Sequence, residues 1–246
     1  MLPLFLKKTI YRDYRKVGFR MYDRLGSRWL LHYRNYVDRK FILKRPYEDE
    51  QMAFLAAQVK DRGCTVFLDV GANFGLYTVQ LLKRCDSLTS AYAIEPQPRN
   101  FQQLCANILI NDLSERVISL ALGASSERKQ VSFLENKGNS TGTSRIAETA
   151  PESTKGEKFR TTTIDVDALD NMFPGMTGEK LAIKIDVEGH EIPVLEGARR
   201  LLKENTCLIQ VEVLDEEPQR LEELLARFGL NQIARIGCDV YLCNGL

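Results

Sequence analysis

The chain has 246 residues, enough to bury a substantial core in one α/β domain, and its 27% charged and 44% hydrophobic content excludes a low-complexity or disordered chain. Its net charge of +1 hides an asymmetry, because residues 1–45 carry 13 Lys and Arg against three Asp (+10) and the remainder stands at −9. No run approaches about 20 apolar residues, which excludes a predicted membrane-crossing helix. The opening MLPLFL lacks the charged start of a secretory signal. Six scattered cysteines without a C-x-x-C pair exclude a metal finger and a disulfide scaffold, and buried free thiols in a reducing cytoplasm are expected.

The basic segment has helical spacing, with Leu6, Ile10, Tyr14, Val17, Met21 and Leu25 at three- and four-residue steps. Lys8, Arg12, Arg15, Lys16 and Arg20 fall on the other faces. Three readings fit this pattern: a helical extension packed on the domain, a helix on an anionic membrane surface, or a nucleic-acid-binding segment. After Arg45-Pro46 the chain divides into this extension, residues 1–46, and a main domain, residues 47–246.

Residues 47–60 read as a helix leading into strand 65–70. Helix 76–84, strand 89–95, helix 98–110 and strand 117–122 follow, an alternation that implies a parallel sheet with right-handed crossovers. Residues 130–164 read as an inserted hairpin with a turn-rich loop over a pocket. Ser140, Thr141 and Ser144 in that loop are turn residues within possible reach of a ligand. Strand 181–186, helix 192–203, strand 206–213, helix 217–228 and a hairpin 230–243 split near Gly237 complete the pattern.

Two strand ends carry the chemistry. TVFLDVGANFGL (65–76) runs an apolar strand into a turn where Gly71 and Gly75 free the backbone, and a helix begins. Asn73 and Leu76 stand where a dinucleotide fingerprint would place glycines, which favours a smaller nucleoside. Glu95-Pro96 ends the next strand about 20 residues on, where an acid accepts hydrogen bonds from ribose hydroxyls. Downstream, LAIKIDVEGHEIPVLEGA (181–198) ends a strand in Asp186, Glu188, His190 and Glu191 before a helix. Ligands of open α/β sheets bind at such carboxyl ends.

FLDVGANFGLYT, AIEPQP and KIDVEGHEIPVLEGARRLL together resemble the FkbM-type methyltransferases, of the class I S-adenosylmethionine-dependent fold, over roughly Thr65 to Asn244. The resemblance implies an α/β, Rossmann-like, seven-stranded, mostly parallel sheet with helices on both faces and a closing antiparallel hairpin. It implies S-adenosylmethionine as cofactor. Asp69 and the turn Gly71, Ala72, Asn73 and Gly75 would meet its methionine part, Glu95 and Pro96 its ribose, and Ala121 and Leu122 its adenine.

Methyl transfer to a hydroxyl is helped by a base, and the candidates are Asp186, Glu188 and His190, with the choice between Asp186 and His190 left open. Glu191 reads as a helix-terminal acid. Lys184, inside an apolar strand, needs a partner, for which Glu212 is the candidate. Asp186 with Glu212 makes too incomplete a set of oxygen ligands to predict a metal. The expected function is O-methyl transfer to a hydroxyl of a sugar, glycan or natural product. The alternatives are a membrane- or glycolipid-associated binding protein, with residues 1–45 touching an anionic membrane, and a nucleic-acid methyltransferase.

Overall fold

In the computed structural model of the chain, residues 18–136, 141–147, 159–213 and 225–245 are described, together with Pro3 and Leu6. The first elements are β1 (Phe19–Arg24) and β2 (Ser27–His32), an antiparallel hairpin closed by Leu25-Gly26. Both turn residues have positive φ, 50° and 71°, the mirror-image turn whose twist matches that of paired strands. This corrects the helical reading of Met21 and Leu25. Alternation at Ser27, Trp29, Leu31 and Tyr33 buries one side of the segment, and that period of two overrides the three-and-four spacing of the upstream apolar residues. Ile10, Tyr14 and Val17 lie outside the described residues.

The chain continues through α1 (Tyr36–Ile42) and α2 (Asp49–Arg62) into β3 (Val66–Val70), α3 (Leu76–Arg84), β4 (Ser90–Ile94), α4 (Pro98–Leu109) and β5 (Val117–Leu120). Gln103, Asn107 and Asn111 recur at helical steps along and just past α4, and their amides bond the backbone of β2 at Arg28 and Leu30, over 2.7–3.1 Å. The hairpin is thereby stitched to the body by groups that would otherwise be buried without partners.

Next come β6 (Gly123–Ala124), β7 (Lys129–Asn136), a 3₁₀ turn at Thr141–Thr143, β8 (Arg145–Ile146) and β9 (Phe159–Asp167), which form a second sheet in the order β6-β9-β7-β8. The predicted hairpin within 130–164 is thus β7 paired antiparallel with β9. Ser140 and the side chain of Thr141 fall outside the described residues.

The chain then returns through α5 (Leu169–Met172) and β10 (Lys180–Ile185). The predicted helix 192–203 is two helices, α6 (Glu191–Glu196) and α7 (Arg199–Glu204). At the break a Cβ on Gly197 would collide with the Ser125 carbonyl. β11 (Thr206–Glu212), β12 (Asn231–Ile236) and β13 (Asp239–Cys243) finish the chain, the last two as the antiparallel hairpin around Gly237. Most of the predicted helix 217–228 lies outside the described residues.

The main sheet is seven-stranded, in the order β12-β13-β11-β10-β3-β4-β5, with β11-β10-β3-β4-β5 parallel. Strands alternate their side chains between two apolar layers. Phe67, Ala182, Leu208 and Tyr241 pack with α2, α3, α4 and β2, while Leu68, Ile183, Ile209 and Leu242 pack toward α5, α6 and α7. From β3 the chain winds outward to β5 and later re-enters beside β3 as β10. The crevice for a ligand is therefore at the carboxyl ends of β3 and β10.

Candidate active site

Close to those ends, one face of the sheet carries a buried polar row. Asp69, Lys184 and Gln210 lie side by side in register on β3, β10 and β11. Thr78 of α3 donates to Asp69 from its backbone N–H (3.0 Å) and its hydroxyl (2.5 Å). Lys184 Nζ donates to Asp186 Oδ2 at 2.7 Å and lies 4.6 Å above the Tyr77 ring. Gln210 donates to Tyr77 Oη (3.2 Å) and Asp239 Oδ1 (2.7 Å). Burial works against the ammonium, but the carboxylates of Asp186, Glu48 and Asp69 outweigh it and hold Lys184 above its ordinary pKa. The partner of Lys184 is thus Asp186 two residues on, in place of Glu212.

The two glycines of the first turn serve packing. A Cβ on Gly71 (φ +84°) would collide with the Asp186 carbonyl, so this glycine lets the loops after β3 and β10 touch. A Cβ on Gly75 (φ +89°) would stand 2.7 Å from Leu104 of α4.

A cavity opens at this junction. Val70, Gly71 and Asn73 line it from the β3 turn, Ile94, Glu95, Pro96 and Asn100 from β4 and the start of α4, and Asp186, Val187 and Glu188 from the β10 loop. Gly123, Ala124 and Phe133 contribute from β6 and β7, Thr143, Ser144 and Ile146 from the strap at β8, and Tyr36, Val37 and Tyr47 from the N-terminal side. The cavity thus draws on both sides of the boundary expected at residue 46.

Each predicted residue has a definite place. Glu95 accepts from the backbone N–H of Asn73 and of Gln97, both at 2.9 Å, and burial pushes its pKa up to about 7 against those bonds. Asn100 adds a side-chain hydrogen bond to the same carboxylate, while its own Oδ1 is buried without a partner. Asp69 and Ala72 are buried beneath the turn and, with Gly75, do not line the cavity. Ala121 and Leu122 do not line it either: β5 ends at Leu120, the chain bends, and the lining residues are Gly123 and Ala124.

On the β10 loop the three candidate bases separate. Asp186 and Glu188 border the cavity. Glu188 and Gly189 both have positive φ (57° and 97°), and Arg145 stands 3.6 Å from the Glu188 carboxylate. Burial first and Asp186 second push the Glu188 pKa up to about 7, against the pull of Arg145. His190 faces elsewhere. It is buried, its Nε2 is 3.0 Å from Ser125 Oγ, and burial with the Lys129 charge lowers its pKa to about 4. Glu191, in the first turn of α6, accepts from Val187 and Gly189 N–H at 3.1 Å and fastens the loop. Among the described residues no group of three or more His, Cys, Asp or Glu is arranged to hold a metal ion.

The sequence did not mark Tyr36, Val37, Tyr47, Asn100 and Phe133 as lining residues, nor the contact of Arg145 with Glu188. Only Asn100 had a local signal, being in the first turn of a helix that starts at a carboxyl strand end.

A mostly parallel seven-stranded sheet with this closing hairpin, and a cavity at its switch point, is the architecture that the resemblance to S-adenosylmethionine-dependent methyltransferases implied. The sequence pattern of the Methyltransferase FkbM domain matches residues 69–230. The chain belongs to the FkbM methyltransferase family, whose methyl donor is S-adenosylmethionine. It is 29% identical over 180 residues to the hexuronic acid methyltransferase AglP of Haloferax volcanii, covering 71% of this chain and 67% of that protein. The crystal structure of an FkbM methyltransferase from Methylobacillus flagellatus is similar at TM-score 0.49 and 19% identity, covering 74% of this chain but 43% of that one. An O-methyltransferase from Bacillus cereus is similar at TM-score 0.48 and 14% identity, over 81% of this chain and 83% of that one.

Proposed function

We propose that the chain transfers a methyl group from S-adenosylmethionine to a hydroxyl of a sugar, glycan or related small molecule. The observation that carries the reading is one cavity with two unlike sides. Glu95 and Asn100 border it from the end of β4 and the start of α4, and Asp186 and Glu188 border it from the end of β10. The residues fit the cofactor. Glu95, with three of its four lone-pair sites taken by Asn73, Gln97 and Asn100, keeps one for a ribose hydroxyl, and Asn100 lines the cavity beside it.

When bound, the cofactor supplies an electrophilic methyl group on a sulfonium. The chain's own work is to orient the acceptor and take its proton. Glu188 suits the second task, being ionised for part of the time near neutral pH and bordering the cavity. Asp186, tied to Lys184, places a fixed acceptor beside it that can orient the hydroxyl. His190, held by Ser125 away from the cavity, is read as structural.

The name of the Haloferax relative points to a sugar acid as acceptor class, and such a molecule offers hydroxyls and a carboxylate. Transfer to the carboxylate releases no proton, a second reading favoured by the Arg145 guanidinium at Glu188. Calorimetric titration with S-adenosylmethionine, followed by a labelled-methyl survey of sugars and sugar acids, tests the proposal. Binding in the wild type and its loss in Glu95→Ala are expected, and a folded wild type that binds none would overturn it. A rate rising to a plateau across pH 7 supports the hydroxyl, and a flat profile the carboxylate.

A further inference from the structure

Among the described residues seven large hydrophobic side chains are exposed, and five of them, Leu6, Phe19, Met21, Leu25 and Tyr36, belong to the first 45 residues. That same stretch holds the charge excess of +10. The hairpin carries three of the five. Its register pairs Phe19 with His32, Met21 with Leu30 and Asp23 with Arg28, so these six residues share one face. The opposite face carries Trp29 and Leu31 into the core. Phe19 is 39%, Met21 48% and Leu25 41% exposed. Cations stand beside two of them: Arg24, Arg28, Lys44 and Lys83 share one hollow with Leu25, alongside Asp23 and Asp112, and the Arg99 guanidinium is 5.5 Å above the Phe19 ring.

We infer that this open hairpin face docks on an anionic phospholipid bilayer. Apolar tips set among arginines and lysines match an interface whose headgroups are negative and whose next layer is hydrocarbon. A second copy of the chain fits worse, because pairing two such faces opposes like charges. Nucleic acid also fits worse. Met21, Leu25 and Leu30 offer no ring for a base to stack on, and Phe19 already has His32 edge-on at 5.1 Å. No helix among the described residues is long and apolar enough to cross a membrane. Tyr36, exposed just beyond the hairpin, also lines the cavity.

The test is co-sedimentation of the full chain with vesicles of phosphatidylcholine alone and of phosphatidylcholine mixed with phosphatidylglycerol. Binding is expected to the mixed vesicles only, and to fall steeply as salt is raised. The double variant Phe19→Glu/Met21→Glu is expected to bind about tenfold or more weakly, with unchanged melting temperature and S-adenosylmethionine affinity. Because both side chains are exposed, such a loss with an intact fold reports on the surface. No binding to mixed vesicles at low salt overturns the inference, as does equal binding by the double variant. A wild-type dimer that the variant turns into a monomer, without vesicle binding, would assign the face to a second copy. Salt-sensitive RNA binding that the variant loses, again without vesicle binding, would assign it to nucleic acid.

Discussion

The β4 and β10 ends of the cavity each present a carboxylate, buried Glu95 and half-buried Glu188, and loss of solvent pushes both pKa values up to about 7. The surroundings differ. Glu95 is gripped by backbone N–H groups of Asn73 and Gln97, dipoles fixed by the turn after β3 and the entry to α4. Glu188 sits in the left-handed region on a loop, between the charges of Asp186 and Arg145. Fixed dipoles suit a group that must hold one ligand in one place. Opposed charges suit a group whose proton comes and goes, since small changes nearby move its pKa.

Substitutions at the two ends should therefore separate binding from chemistry. Glu188→Gln is expected to lower kcat by about 10²- to 10⁴-fold with S-adenosylmethionine affinity little changed. Equal loss of affinity would erase the distinction. Glu95→Ala is expected to weaken S-adenosylmethionine by roughly tenfold to a hundredfold, as for the loss of hydrogen bonds to a charged group, measured calorimetrically. Arg145→Met sharpens the comparison further. Removing the larger of the two charges that lower the Glu188 pKa, the other being Lys184, should move the rise of the rate with pH upward from about 7, leaving cofactor affinity unchanged.

Why one end was legible in the sequence and the other only half so follows from the same contrast. The glycine turn, Glu95 and the Asp186–Glu191 run are local patterns at strand ends, and apolar alternation specified the seven strands that present them. The Gly123 and Ala124 contribution depends on where β5 bends, which strand periodicity does not mark. Tyr36, Val37 and Tyr47 line the cavity from the segment after β2, a strand fastened by amides of Gln103, Asn107 and Asn111 more than 70 residues away in the chain. The hairpin itself was hidden because Leu25-Gly26 is a weak turn signal beside a helical spacing of apolar residues. His190 looked catalytic from its neighbours in sequence, and the turn at Glu188-Gly189 takes it away from the cavity.

The two carboxylates also leave a trace in stability. Their folded pKa values, about 7, lie above the ordinary 4.5, and Glu212 reaches about 8. Between 4.5 and those values the folded chain binds more protons than the unfolded one, so stability falls as pH rises through that window. Without cofactor, the melting temperature is expected to be higher at pH 6.5 than at pH 8, and Glu95→Gln or Glu188→Gln should each flatten that difference. Below 6.5 His190 acts the other way, because its folded pKa is lowered to about 4 and the unfolded chain takes the proton first.

The smallest effect bears on that histidine. Ser125 holds His190 Nε2 at 3.0 Å inside the protein, with Nδ1 left unpartnered. If the pair only locks the β10 loop against the segment after β6, Ser125→Ala should cost about 1 kcal/mol of stability. It should leave kcat and its pH dependence within about twofold, small beside the effect expected of a base. A large fall in kcat at unchanged melting temperature would put His190 back among the groups that move the acceptor's proton. The division of labour would then lie within the β10 loop, between Glu188 and His190, and no longer between the two ends of the cavity.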